Sequence, residues 1–190
     1  MEKMYDVTAM GELLIDFPMN GKSEQGNDLF EACPGGAPCN VLAMLNKLGR
    51  KTAFIGKVGK DQFGQLLKDT IEEMGIDARG LLLDEKTHTT LAFVHTFPDG
   101  DREFSFYRNP GADMMLTEDE VDYDLIRSSK VFHFGTLSMT DEPIRTATKK
   151  GFGGCEGGRV PDHLRSQFET SSLEFPGGSQ RDDGVRVPLL

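Results

Sequence analysis

Basic residues and long apolar runs are what this sequence has least of. Lys and Arg total 21 against 31 Asp and Glu, which gives the 190-residue chain a formal net charge of −10. Nucleic acids need a basic face for their phosphates, and anionic lipid surfaces attract basic segments, so the charge argues against both partners. No run approaches the roughly 18 apolar residues that a membrane span needs. Residues 1–6 are charged and lack the apolar core of an export signal, so we expect a cytoplasmic protein with no membrane partner.

Several motifs that would identify a chemistry are also missing. The three cysteines (Cys33, Cys39 and Cys155) and the four histidines show no metal-ligand spacing, so we expect reduced thiols and no metal site. The sequence contains no Gly-x-Gly-x-x-Gly and no Gly-x-Ser-x-Gly, which disfavours a hydrolase with a nucleophile elbow. Residues 20–23 resemble the end of a phosphate-binding loop, but Asp16 stands where that loop needs a glycine.

The composition of the chain changes after Lys150. Residues 151–190 contain no Lys, Ala, Ile, Met, Asn or Tyr, and they hold 8 of the 22 glycines. Their glycine pairs would interrupt most helices and strands. We therefore predict a domain over residues 1–150 and a tail over 151–190 that is not part of it. The tail is interpreted either as a disordered extension or as translation in a shifted reading frame. The sheet pattern before it stops in mid-course, which favours the shifted frame.

Strand and helix patterns alternate in the first part of the chain, which indicates a parallel sheet covered by helices. We predict strands over residues 5–17, 52–58 and 130–134. We predict helices after Pro38, which suits a first helical turn, and after Asp61, which can cap a helix N-terminus. The apolar positions of the first helix form one predicted buried stripe: Val41, Leu42, Met44, Leu45 and Leu48.

The middle of the chain has a different pattern. Residues 89–97 and 102–108 alternate as half-exposed strands do, and residues 98–101 between them are typical of a turn. A hairpin of this kind inside an α/β chain can stand apart from the main sheet as a flap.

Four candidate binding residues lie near the first strand and the first helix. Asp16 ends an apolar run, and ligands of parallel α/β sheets bind at the carboxyl ends of strands. Its carboxylate could accept hydrogen bonds from two sugar hydroxyl groups. An ordinary carboxylate at the point where a strand turns into a loop is an equally good interpretation. Gly35 and Gly36 allow close backbone approach at a helix start, where free N–H groups favour polar or anionic ligands, but many helices begin after glycine. Asn40, one turn later, could face the same pocket or face solvent.

Two more candidates lie on the second strand of the flap. Phe106 and Arg108 are two residues apart and therefore share one face of the strand. An aromatic ring and a guanidinium group could clamp a polar ligand. An exposed strand with no ligand explains the pair equally well.

These segments together resemble a known family. Gly-Glu-Leu-Leu-Ile-Asp at residues 11–16 and Gly-Gly-Ala-Pro-Cys-Asn at 35–40, with Gly49 and Gly59 at their set distances, resemble the PfkB (ribokinase-like) sugar kinases, and among them most a fructokinase. Leu42 departs from the small residue that the family signature expects. Two further stretches are typical of the family: residues 58–64 and 107–113. The resemblance covers about residues 5–150.

The resemblance implies a fold, a reaction and a set of binding residues. The fold would be an α/β ribokinase-like sandwich with a parallel central sheet and a small β-hairpin lid at about residues 89–108, truncated before the nucleotide-binding half. The reaction would be ATP-dependent phosphorylation of a sugar hydroxyl group, with ATP and Mg as cofactors. The substrate-binding residues would be Asp16, Gly35, Gly36, Asn40, Phe106 and Arg108. Lids of this family often pair, so a homodimer through the lid is also expected.

The same resemblance shows which catalytic groups of the family have no counterpart in this sequence. Phosphoryl transfer needs a base for the hydroxyl proton and oriented donors for the phosphoryl charge. The family supplies both from a Gly-Ala-Gly-Asp turn at a helix N-terminus, and this sequence contains no such turn. We therefore assign no catalytic residue, expect a catalytically incomplete fragment, and leave open whether the chain is itself an enzyme.

Two other functions stay open. One is a sugar-binding or dimerisation module that performs no catalysis. The other is a PfkB kinase for ribose, a nucleoside or 2-keto-3-deoxygluconate.

Overall fold

The computed structural model describes residues 3–97 and 99–153, with the side chains of residues 3–97 and 99–152. Its strands are β1 (Tyr5–Met10), β2 (Leu14–Lys22), β3 (Asp28–Phe30), β4 (Cys33–Gly35), β5 (Thr52–Gly59), β6 (Asp77–Asp84), β7 (Leu91–Thr96), β8 (Arg102–Tyr107) and β9 (Ser129–Phe134). Its α-helices are α1 (Ala37–Lys47), α2 (Gln62–Glu73), α3 (Tyr123–Arg127) and α4 (Ile144–Gly153), and short 3₁₀ helices cover Ala112–Met115 and Thr136–Met139. Predictions for the tail from residue 154 onward lie outside the described residues.

The strands form two sheets. The first has the order β6-β5-β1-β9 and is parallel throughout, which confirms the predicted parallel sheet. The second has the order β3-β2-β7-β8, with β4 paired to β2. The predicted hairpin is present as β7 and β8, and it belongs to this larger sheet. We call the second sheet the lid sheet.

The single strand predicted over residues 5–17 is wrong. The chain leaves the parallel sheet after Met10 and enters the lid sheet at Leu14, so one apolar run serves both sheets. Gly11 lies at the crossing, where a Cβ atom would be 2.7 Å from Pro38 Cγ. Only a glycine at this position lets the chain between β1 and β2 pass so close to the start of α1. The start of β2 therefore lies beside the start of α1.

Apolar side chains cover both faces of the parallel sheet. On one face Leu42 of α1 and Leu67 of α2 pack with Phe54 of β5. On the other face the side chains of α3 and α4 pack with Ile55. Each fully buried side chain of this size stabilises the fold by about 1.5–3 kcal/mol. Asp61 caps α2 as predicted, since its carboxylate accepts hydrogen bonds from the backbone N–H groups of residues 63 and 64.

One edge of the parallel sheet and one face of α1 remain uncovered. Among residues 3–97 and 99–153, β1 is the one strand that pairs with β9. Val131 of β9 is exposed, as are Val41, Met44 and Leu48 of α1. The predicted stripe of α1 is therefore wrong at these three positions, because the helix buries only the side that faces β1 and β5. None of the helices in the described part is long and apolar enough to cross a membrane.

Candidate functional site

The register of the lid sheet places four residues in one row. Asp16 of β2 lies directly opposite Cys33 of β4 and beside Ala92 of β7, and Ala92 lies opposite Phe106 of β8. Directly paired residues project from the same face of a sheet. Neighbouring strands are about 4.8 Å apart, so about 10 Å separates the backbones of Asp16 and Phe106. The small side chain of Ala92 lies between them. We call Cys33, Asp16, Ala92 and Phe106 the lid row.

Asp16 is a half-buried acceptor without a donor. In the described part of the chain its carboxyl group receives no hydrogen bond, and burial raises its pKa. Gly35 lies two residues after Cys33 and so shares the face of the lid row; a Cβ atom at Gly35 would overlap Asp16 Oδ2. Glycine at this position therefore leaves the carboxylate room to receive the hydroxyl groups of a ligand.

Gly36 joins β4 to α1 in a conformation that favours glycine. Its φ is +122°, and a Cβ atom there would be 2.5 Å from the carbonyl oxygen of Glu12. No side chain caps the helix at Gly36, and the backbone N–H of Ala37 donates to Glu12 Oε1 over 3.2 Å. Asn40 follows one turn later and is exposed. Asp16, Gly35 and Gly36 are thus brought together, with Asn40 on the next turn of the same helix.

Phe106 forms the far end of the lid row. Half of its surface is exposed, and its ring stacks on Phe104 with ring centroids 6.0 Å apart. An exposed aromatic face opposite an unpaired carboxylate is suited to a ligand that has both apolar C–H groups and hydroxyl groups.

Arg108 is not placed over the lid row. Its Nε donates to Asp113 Oδ2 over 2.7 Å, its Nη2 donates to the carbonyl oxygen of Leu137 over 3.4 Å, and Asp113 also accepts from Thr90 over 2.5 Å. The guanidinium group is mostly buried in these contacts. Arg108 therefore ties the base of the hairpin to the turn after β9, and its contact with a ligand stays a prediction.

Sequence reasoning missed Cys33, Ala92, Glu12 and Asp113. Cys33 and Ala92 join the site through strand register, which no local pattern specifies. Glu12 carried a usable signal, because a carboxylate inside an apolar run is costly to bury unless it has a role.

No metal ion is assigned to these residues. In the described ranges, no three His, Cys, Asp or Glu side chains are grouped so that they could hold a metal ion. The described residues therefore offer no such ligand set for the Mg that the resemblance implies.

Comparison with known proteins shows the family to which this chain belongs. The family model of the pfkB family carbohydrate kinases matches residues 4–150. The chain belongs to the pfkB family of carbohydrate kinases.

Curated relatives extend well beyond the match. The chain is 49% identical over 143 residues to fructokinase-2 of Oryza sativa subsp. japonica, a match that covers 74% of this chain and 43% of the relative. It is 48% identical over 146 residues to a fructokinase of Solanum tuberosum, with coverages of 76% and 46%. The chain thus spans less than half the length of these relatives.

Solved structures of sugar kinases superpose on this chain. Fructokinase from Xylella fastidiosa superposes with a TM-score of 0.74 at 34% identity, over 80% of this chain and 47% of that one. A sugar kinase from Pyrococcus horikoshii in complex with ATP superposes with a TM-score of 0.73 at 29% identity, over 87% and 57%. The fold is the ribokinase-like α/β fold with a parallel central sheet.

Proposed function

We propose that the described residues form the sugar-binding half and the lid of a kinase that phosphorylates fructose or a closely similar sugar with ATP. The observation that carries the proposal is the lid row, in which the unpaired carboxylate of Asp16 and the exposed ring of Phe106 share one face of the sheet beside the Gly35–Gly36 turn. The curated relatives are fructokinases, and the superposed Pyrococcus horikoshii sugar kinase contains ATP, which supports the substrate and the phosphoryl donor.

The binding roles follow from the contacts. Asp16 accepts hydrogen bonds from sugar hydroxyl groups, because no donor among the described residues uses its oxygens. Gly35 and Gly36 let the sugar approach the backbone at the start of α1, and Asn40 contributes its side-chain amide from the next turn. Phe106 covers the apolar face of the sugar ring.

We also propose that this 190-residue chain does not transfer phosphate by itself. The sequence contains no Gly-Ala-Gly-Asp turn, so no described residue supplies the base or the anion hole. The unpaired outer edge of β9 in the described part of the chain and the exposed apolar side chains of α1 support the same interpretation, because each is a surface that a further strand or helix would cover.

A sugar panel tests the proposed function. Calorimetric titration of the chain with fructose, ribose, a nucleoside and 2-keto-3-deoxygluconate should show binding of fructose that Asp16→Asn weakens. Preferred binding of another member of the panel would reassign the substrate. Measurable sugar phosphorylation by the purified chain would contradict its catalytic incompleteness.

A lid-mediated homodimer is a second part of the proposal. The lid sheet exposes large apolar side chains that a monomer would leave in water: Met19, Leu29, Phe30, Phe97 and Phe104. Exposed apolar patches of this kind mark contact surfaces. Sedimentation velocity should show a dimer that Phe104→Glu dissociates, and a monomer at all concentrations would contradict it.

A further inference from the structure

Glu12 is a buried carboxylate that the proposed sugar contacts do not use. Only 4% of its surface is exposed, and it lies at the crossing between β1 and β2. Its Oε1 accepts the Ala37 N–H over 3.2 Å. Over residues 3–97 and 99–152, its Oε2 is the one buried side-chain oxygen or nitrogen without a hydrogen-bond partner.

An unpaired buried oxygen is unfavourable, so the position calls for an explanation. A buried carboxylate loses the favourable free energy of its hydration, and only hydrogen bonds within the protein offset this loss. A methionine or leucine would fill the same volume without an unpaired oxygen. An apolar side chain could not reproduce the hydrogen bonds that the carboxylate accepts from its own backbone N–H and from the Ala37 N–H.

Two chain segments, the start of α1 and the end of β9, close around this side chain. The carbonyl oxygen of Glu12 would be 2.5 Å from a Cβ atom at Gly36, so the backbone of residue 12 directly abuts the glycine turn. On the other side, a Cβ atom at Gly135 would overlap Glu12 Oε2 and would be 2.8 Å from Pro38 Cγ. Glu12 therefore lies between the start of α1 and the end of β9, with no spare space on either side.

The charges that act on Glu12 come from the base of the hairpin and from α1. Burial is the main cause that raises the Glu12 pKa, and Asp113 raises it further. The pKa is lowered by the backbone N–H of Glu12 itself, then by the Ala37 N–H and the Arg108 guanidinium group. On α1, the buried Cys39 thiol has a pKa raised to about 12, mainly by burial and further by Glu12, so it stays neutral.

We propose that Glu12 is a positioning residue for the sugar site, which fixes the Gly35–Gly36 turn through the hydrogen bond that its carboxylate accepts from the Ala37 N–H. This role rests on the proposed function, because it matters only if the glycine turn binds the sugar. Glu12 itself does not touch the sugar, since its carboxyl group is buried beneath the turn.

Three substitutions separate this role from simple filling of space. Glu12→Gln keeps the acceptor oxygen for Ala37 and should bind fructose within about threefold of the natural chain. Glu12→Ala removes the acceptor and should weaken fructose binding about tenfold or more, because the glycine turn loses its anchor. Glu12→Asp keeps the charge but withdraws the oxygen by one methylene group, so it should weaken fructose binding as Glu12→Ala does. The aspartate variant replaces the alanine variant in the test if the alanine variant does not fold.

The measurements are fructose affinity by calorimetry and hydrogen exchange of the Ala37 amide by NMR, with helix content checked by circular dichroism. We expect the Ala37 amide to exchange slowly in the natural chain and in Glu12→Gln, and faster in the other two variants. A folded Glu12→Ala or Glu12→Asp variant with natural fructose affinity overturns the positioning role.

Failure of the proposed function gives a different result. If the natural chain binds no fructose, the sugar site itself is refuted. The Ala37 exchange then decides whether Glu12 anchors the turn, and unchanged exchange in Glu12→Ala overturns that anchor.

Discussion

Replacing Asp16 with asparagine should weaken sugar binding and stabilise the fold at the same time. The side chain is half-buried, its burial raises its pKa, and no donor among the described residues contacts it. A carboxylate in this setting does not benefit the fold, because burial disfavours its charged form. It benefits a ligand that brings hydroxyl donors.

The size of the binding loss follows from one hydrogen bond. Asparagine keeps one acceptor oxygen and replaces the other with an amide N–H₂ group, so one hydrogen bond to a charged acceptor is lost. Such a bond contributes about 1.5–3 kcal/mol, which corresponds to a loss of affinity of about 10- to 150-fold.

The stability gain has a definite pH dependence. Because the folded-state pKa of Asp16 is raised, ionised Asp16 destabilises the folded chain above that pKa, and the penalty disappears as the pH falls below the unfolded value. The Asp16→Asn variant should therefore melt at a higher temperature near neutral pH, and the difference should shrink in acid. The fructose affinity of the natural chain should fall over the same acidic range, as protonation removes the acceptor.

Calorimetric fructose titration and thermal melts followed by circular dichroism check both halves of this prediction. Asp28→Asn is the matched control, since Asp28 lies in the same sheet on β3, is exposed and pairs with Lys22. The control should leave fructose affinity unchanged. An Asp16→Asn variant that binds fructose normally, or that loses binding only because it unfolds, would refute the reasoning.

Three further predictions concern the turn, the sheet edge and a buried ion pair. Gly35→Ala should abolish most fructose binding in calorimetry while helix content is kept, because its Cβ atom displaces the carboxylate of Asp16; normal binding would contradict this. Val131→Lys should reduce association of the chain in light scattering, since a charge on an uncovered edge strand opposes edge-to-edge pairing; unchanged association would place the contact elsewhere. Lys57→Met should lower the free energy of unfolding by about 1–3 kcal/mol, because it leaves the partners of a buried ammonium group without their donor. Lys60→Met, at an exposed ion pair, should leave the free energy of unfolding nearly unchanged, and equal effects of the two substitutions in urea melts would contradict this difference.

Local patterns predicted the fold well where one segment serves one sheet. Local sequence was enough to predict three features, because each depends on neighbouring residues: the alternation of strands and helices, the cap at Asp61, and the hairpin at β7 and β8. The crossing at Gly11 could not be predicted from the sequence, because an unbroken apolar run does not show that its two halves enter different sheets. The exposed side of α1 was missed for a related reason: helical periodicity identifies an apolar face but not what covers it.

The sequence indicated single candidate residues of the site but not their arrangement, and their binding roles stay predictions. Asp16, Gly35 and Gly36 could be found from their places beside a strand end and a helix start. Their alignment with Ala92 and Phe106 depends on strand register, which long-range pairing sets. The burial of Arg108 against Asp113 could not be seen either, because the hairpin base folds back onto the turn after β9.

The proposed sugar site is built on the lid row and the Gly35–Gly36 turn. Titration of the ¹⁵N-labelled chain with fructose, followed by NMR, is its decisive test. We expect saturable shifts concentrated at the amides of Asp16, Gly35, Gly36 and Asn40, and their loss in Asp16→Asn. Absence of saturable shifts, or shifts confined to residues remote from β2 and the start of α1, would contradict it.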